Sequence, residues 1–111
     1  MDIVFESRKL QKVFSSDKEL SRAYGETRAQ AIKRRISVLL AAANLDQVPK
    51  LPPDKCHPLL GKRKGQFAVY IGQPFRLIFE PAHNPIPTAP DGGVYLKSIT
   101  CIRILGVEDY H

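Results

Sequence analysis

Phe67-Ala68-Val69-Tyr70-Ile71-Gly72-Gln73-Pro74-Phe75-Arg76-Leu77-Ile78-Phe79-Glu80 is the stretch that decides the fold. Phe67, Val69 and Ile71 alternate with Ala68, Tyr70 and Gly72, and Phe75, Leu77 and Phe79 alternate with Arg76, Ile78 and Glu80. Period-two alternation puts successive side chains on opposite faces of a strand. Only Gly72-Gln73-Pro74 separates the two runs, so they predict an antiparallel hairpin.

On the C-terminal side of this hairpin, residues 81–93 carry four prolines and two glycines, long for a connection between strands. A final strand is expected from Val94 to about Leu105, with Val94, Leu96, Ile99, Ile102 and Ile104 as its apolar members. Its alternation slips near Ser98, which predicts a bulge there. On the N-terminal side, Pro49, Pro52, Pro53 and Pro58 exclude a regular helix between Asn44 and Gly65, and Lys62-Arg63-Lys64-Gly65 closes that segment as a basic turn.

Further upstream the period changes. Residues 2–5 read as a short strand, and Ser7 is placed to cap a helix running to about Phe14. Ser15-Ser16-Asp17 reads as a break and a new start. From about Lys18 to Ala43 there is no proline and one glycine, Gly25, at which a kink or a loose turn is expected. Ala29, Ile32, Ile36, Leu39, Leu40 and Ala43 form an apolar stripe at helical spacing, with Arg28, Lys33, Arg34 and Arg35 mostly pointing elsewhere. Two helices packed as a hairpin are expected, and Phe14, Leu39, Leu40 and the strand aromatics are assigned to the core. The predicted class is α+β: an N-terminal strand and a two-helix hairpin packed on a mainly antiparallel sheet.

The chain has 111 residues, enough for one domain (1–111) and its core. With 43% hydrophobic and 25% charged residues it reads as globular and not as a disordered chain. No run approaches the roughly 18 apolar residues of a membrane span, and the start lacks the pattern of a signal peptide. Cytoplasmic residence is the resulting expectation, and no membrane partner is expected. Cys56 and Cys101 have neither disulfide-framework nor metal-site spacing, so ordinary reduced thiols are expected.

Charge narrows the function classes. The net charge is +6, and it is lopsided: residues 1–65 hold 14 basic and 7 acidic groups, residues 66–111 hold 3 and 4. A surplus concentrated in one part of a small domain is the footprint expected for a polyanion partner, set against a merely solvated basic face. No Gly-rich phosphate loop, paired-Cys zinc site or His-Glu-x-x-His helix is present. The remaining chemistry-bearing residues stand at the ends of predicted elements: His57 and Arg63 around the basic turn, Arg76 in a strand, and Asp109, Tyr110 and His111 at the end of the sequence.

These residues fall in motifs that resemble a known family. His57-Pro58-Leu59-Leu60-Gly61-Lys62-Arg63-Lys64-Gly65-Gln66-Phe67 is similar to the His-Pro-Leu-Lys-Gly-x-Arg-x-Gly-x-Trp segment of HigB-like toxins, members of the RelE/ParE superfamily of bacterial toxin–antitoxin systems. Pro74-Phe75-Arg76-Leu77-Ile78-Phe79 resembles that family's Asn-Trp-Arg-Ile-x-Phe strand, and Val107-Glu108-Asp109-Tyr110-His111 its closing Asp-Tyr-His. The likeness runs along the chain except for residues 81–98, with the Pro-rich insertion at about 81–93. Leu60 stands where many of these toxins carry a lysine, and Phe67 and Phe75 replace tryptophans.

The resemblance implies ribosome-dependent cleavage of messenger RNA and neutralisation by an antitoxin, commonly a helix-turn-helix protein of the HigA type. RNA can be cut by its own 2′-hydroxyl, so such a protein needs no metal and no cofactor. It needs a base, an acid and cations for the developing phosphorane charge. On this reading His57 and His111 are the acid and base, in an order the sequence leaves open. Arg76 holds the scissile phosphate with help from Arg63. Tyr110 stacks on a base or donates to phosphate, and Asp109 orients a histidine or reads a base edge. Lys62, Lys64, Arg34 and Arg35 are the expected RNA contacts, the Lys33-Arg34-Arg35 run having an antitoxin contact or a solvated helix face as its alternatives. His83, in the insertion, is expected to be solvated. The rival functions are a non-catalytic binder of the ParE kind, acting on gyrase, and a degenerate toxin that only binds antitoxin or RNA.

Overall fold

A computed structural model describes residues 1–109, built from strands β1 (Asp2–Phe5), β2 (His57–Pro58), β3 (Phe67–Tyr70), β4 (Phe75–Pro81) and β5 (Cys101–Asp109) and helices α1 (Arg8–Phe14), α2 (Asp17–Tyr24) and α3 (Glu26–Ala41). The expected hairpin forms between β3 and β4, with Phe67 opposite Phe79, Val69 opposite Leu77 and Tyr70 opposite Arg76. The whole sheet has the order β1-β5-β4-β3-β2. It is mixed: β1 runs parallel to β5, and the other pairings are antiparallel. The class is α+β, with the helices packed on one face.

Local chemistry places the helices. Ser7 Oγ accepts the N–H of Leu10 and Ser16 Oγ that of Glu19, so each serine satisfies a donor that a helix start leaves orphaned. The long helical segment splits into two at Gly25. Its φ of +86° lies outside the helical region and suits a residue without Cβ. Gly25 N–H still closes α2 on Ser21, and its carbonyl accepts the N–H of Ala29 to open α3. Three helices therefore stand where two were expected.

Leu20, Ile32 and Leu39 from the helices pack against Phe67, Val69, Leu77, Phe79, Ile102 and Ile104 from the sheet. Leu40, assigned to the core from the stripe, is instead 54% exposed, because Ile36 and Leu39 already span the contact with the sheet. The opposite sheet face carries a thinner apolar strip of Leu59, Ala68, Ile78 and Leu105.

The last strand differs most from expectation. It begins at Cys101 and not at Val94. Val94 makes a bridge to Thr88, Leu96–Ser98 form a 3₁₀ turn, and Leu45 N–H binds the carbonyl of Ile99. Apolar residues of a packed turn thus mimicked a strand. The bulge is also elsewhere: Ile78 pairs with Gly106 and Phe79 with Ile104, so Leu105 is the extra residue and Gly106 takes φ +145°. Pro81, expected in the insertion, ends β4 opposite Ile102. His83 is not merely solvated, because its Nε2 accepts from the N–H groups of Thr100 and Cys101 at 3.0 and 3.3 Å and ties the long connection to β5. None of the described helices is long and apolar enough to cross a membrane.

Phe79 is fully buried and stacks on Phe67 with ring centroids 5.9 Å apart. Phe79→Ala should lower unfolding free energy by about 3–5 kcal/mol, whereas Leu40→Ser should stay within about 0.5 kcal/mol of wild type. Urea denaturation midpoints measure both.

Candidate active site

Register assigns the site residues to faces, because directly opposed residues in an antiparallel pair share one. His57 lies opposite Ala68, and Arg76 lies opposite both Tyr70 and Glu108. These positions belong to the face away from the helices. The bulge at Leu105 makes this possible. Ile102 and Ile104 face the helices, and one extra residue then turns Val107 toward them and Glu108 away.

On that face Arg63, Glu108 and Arg76 form a cluster. The Arg63 guanidinium grips the Glu108 carboxylate through both Nη atoms at 2.5 Å each, and its Nε donates to Gln66 Oε1 at 3.1 Å. This bidentate fork ties the basic turn to the end of β5. Glu80 and Arg103, also in register, make a second cross-strand ion pair at 2.8 Å. Two strand spacings across and two residues along separate the Cα atoms of His57 and Arg76, about 12 Å.

His57 is half-buried at the start of β2, and its Nδ1 lies 2.8 Å from the carbonyl oxygen of Lys55. A carbonyl only accepts, so Nδ1 carries the proton and, in the neutral ring, Nε2 keeps its lone pair. That is the arrangement a proton acceptor requires.

The remaining expected residues divide. Lys62 and Lys64 are exposed in the basic turn. Asp109 ends β5 opposite Phe75, on the helix side of the sheet and not on the face of Glu108. Tyr110 and His111 lie outside the described residues. Arg34 is exposed on α3. Arg35, expected as an RNA contact, is instead 7% exposed, with Nε donating to the Tyr70 carbonyl at 2.7 Å and Nη2 to that of Pro53 at 3.2 Å. Asp54 Oδ1, itself buried, lies 3.5 Å from Nε and neutralises the charge. Arg35 is a strut joining α3 to β3 and the Pro-rich segment. Leu60 is 84% exposed, so the position where the resembled toxins carry lysine projects into solvent.

Glu108 is the member of the cluster that sequence reasoning missed. Its signal was Gly106 two residues before it, a residue that favours a bulge and so a change of face. Among the described residues no group of His, Cys, Asp and Glu is arranged to hold a metal. No family model matches the chain, and no curated protein matches it either.

Burial pushes the Cys56 thiol up to about 11, Lys50 opposing and Asp54 adding to the shift. Cys56 therefore stays a thiol at neutral pH. At pH 8 a disulfide reagent should label half-exposed Cys101 quickly and Cys56 only on unfolding, as mass spectrometry of the labelled peptides would record. Arg35→Ala should destabilise by about 3–5 kcal/mol by leaving Asp54 buried and unpaired, a loss read from thermal and urea unfolding.

Proposed function

We propose that the chain is the toxin of a type II toxin–antitoxin system, a HigB-like endoribonuclease of the RelE/ParE superfamily that cuts messenger RNA on the ribosome. The observation that carries this reading is the shared sheet face. It presents a histidine with its Nε2 lone pair available alongside two arginines of the resembled motifs, Arg63 and Arg76. The motif resemblance and the basic surplus of residues 1–65 support it from the sequence.

In the proposed reaction His57 Nε2 takes the proton of the 2′-hydroxyl, and that oxygen attacks the adjacent phosphorus. Arg76 binds the non-bridging oxygens as their charge grows, while Arg63, with its fork on Glu108, fixes the basic turn against the end of β5 beside it. The bond to the 5′-oxygen breaks, an acid supplies that oxygen with a proton, and a 2′,3′-cyclic phosphate remains. His111 is the proposed acid. Tyr110 is proposed to hold the flanking base. Antitoxin binding would silence the enzyme by covering this face.

Primer extension on a reporter mRNA in a translating extract tests the reading. Wild-type protein should create discrete 5′ ends that need active ribosomes. Arg76→Ala and His57→Ala should each reduce them by about 10²-fold or more while the fold is kept. Cuts in naked RNA would remove the ribosome from the mechanism. Folded protein that makes no cuts would favour a ParE-like binder or a degenerate toxin.

A further inference from the structure

A cleft of about 520 Å³ opens between the α2–α3 junction and the tip of the β3–β4 hairpin, apart from the His57 and Arg63 cluster. Arg28, Ala31, Arg34 and Arg35 line its helical wall, and Tyr70 to Gln73 line the other. Positions 28, 31 and 35 recur at spacings of three and four, so one face of α3 looks into it. Ala31 keeps the middle of that wall shallow. Arg28 and Arg34 stand six residues apart, about 9 Å along the helix.

The charges there are unequal in availability. Arg35 is spent on Asp54 and two carbonyls. Arg28 donates one Nη1 bond to the Tyr24 carbonyl at 2.9 Å and lies 3.8 Å over the ring of Phe75, which fixes its plane and leaves other N–H donors unused. Arg34 is exposed and makes no side-chain hydrogen bond or ion pair with the described residues. Glu26 is the one carboxylate in the lining. Burial raises the Tyr24 phenol above its ordinary value, so it remains an uncharged donor at the cleft. Two available arginines and the Tyr24 phenol in a nucleotide-sized cleft suit a phosphate with its sugar and base.

Position links the cleft to the candidate active site. Phe75, beneath Arg28, precedes Arg76 in β4 and pairs with Asp109. A strand lying on Arg76 would need only to round the hairpin tip at Gly72 and Gln73 to enter the cleft. We infer that the cleft is a second subsite for single-stranded RNA, in which Arg34 and Arg28 hold the backbone of the strand bound at Arg76, further along it beyond the hairpin tip. This inference deepens the nuclease reading and rests on it.

Binding is measured by fluorescence anisotropy with a 2′-O-methyl oligoribonucleotide, which 2′-hydroxyl attack cannot cut. Arg34→Ala should weaken binding about fivefold and Arg34→Glu more, with a salt dependence shallower by about 0.7 in logarithmic slope. Because Arg34 is exposed, its variants should unfold at the wild-type temperature. Adenosine monophosphate should shift the amide resonances of Thr27 and Gly72 in the wild type and not in Arg34→Glu. Unchanged oligonucleotide affinity in both Arg34 variants overturns the subsite, as does wild-type protein that binds a glutamate-rich peptide and no RNA. Loss of binding in the Arg34 variants together with no primer-extension cuts would sink the nuclease and leave the cleft an RNA site. Cuts that persist while Arg34 proves irrelevant to binding would do the reverse.

Discussion

Everything in this domain hangs on β5, which is paired on both sides and changes face midway. Its first half fixes the core: Ile102 and Ile104 are fully buried between the sheet and the helices, and β1 can join the sheet only by pairing alongside them. Its second half serves the other face, where Glu108 meets Arg63 and lies opposite Arg76. The bulge at Leu105 and Gly106 separates the two duties. A regular strand would have set the Glu108 carboxylate opposite Phe75 on the helix side, out of reach of Arg63.

A comparable division of labour runs along α3. Three consecutive basic residues, Lys33, Arg34 and Arg35, meet three different environments. Lys33 reaches Asp17 on α2 at 3.2 Å, Arg34 faces solvent at the cleft, and Arg35 is interred against two carbonyls and Asp54. The buried arginine sets the rotation of the helix about its axis. That rotation in turn aims Arg34 outward and brings Arg28 onto Phe75.

The parts legible in the sequence were those governed by short-range rules. The β3–β4 hairpin followed from period-two alternation, and the starts of α1 and α2 from serine caps. Gly25 was visible as a discontinuity, although only its backbone angle decides between a bend and a full break. The start of β5 was misjudged because Val94, Leu96 and Ile99 are apolar for a different reason: they pack from a turn. The burial of Arg35 had a signal in its placement four residues after Ala31 and four before Leu39, on the apolar stripe itself. Charge argued the other way, and the answering groups, Tyr70, Pro53 and Asp54, lie 18 to 35 residues distant. Glu108 was hidden for the same kind of reason, since a bulge shows itself only against the strand that pairs with it.

The bulge also makes the end of β5 sensitive to parity. From Val107 to Asp109 each residue takes the face opposite to its neighbour, so whether a side chain joins the helices or the basic face depends on an odd or even count from Gly106. Substitutions along this segment change one group at a time. Removing a single residue there would set Asp109 opposite Arg76 and Glu108 opposite Leu77, and adding one would set Glu108 opposite Phe75. Length, more than composition, is what evolution would have to hold constant in those last few positions.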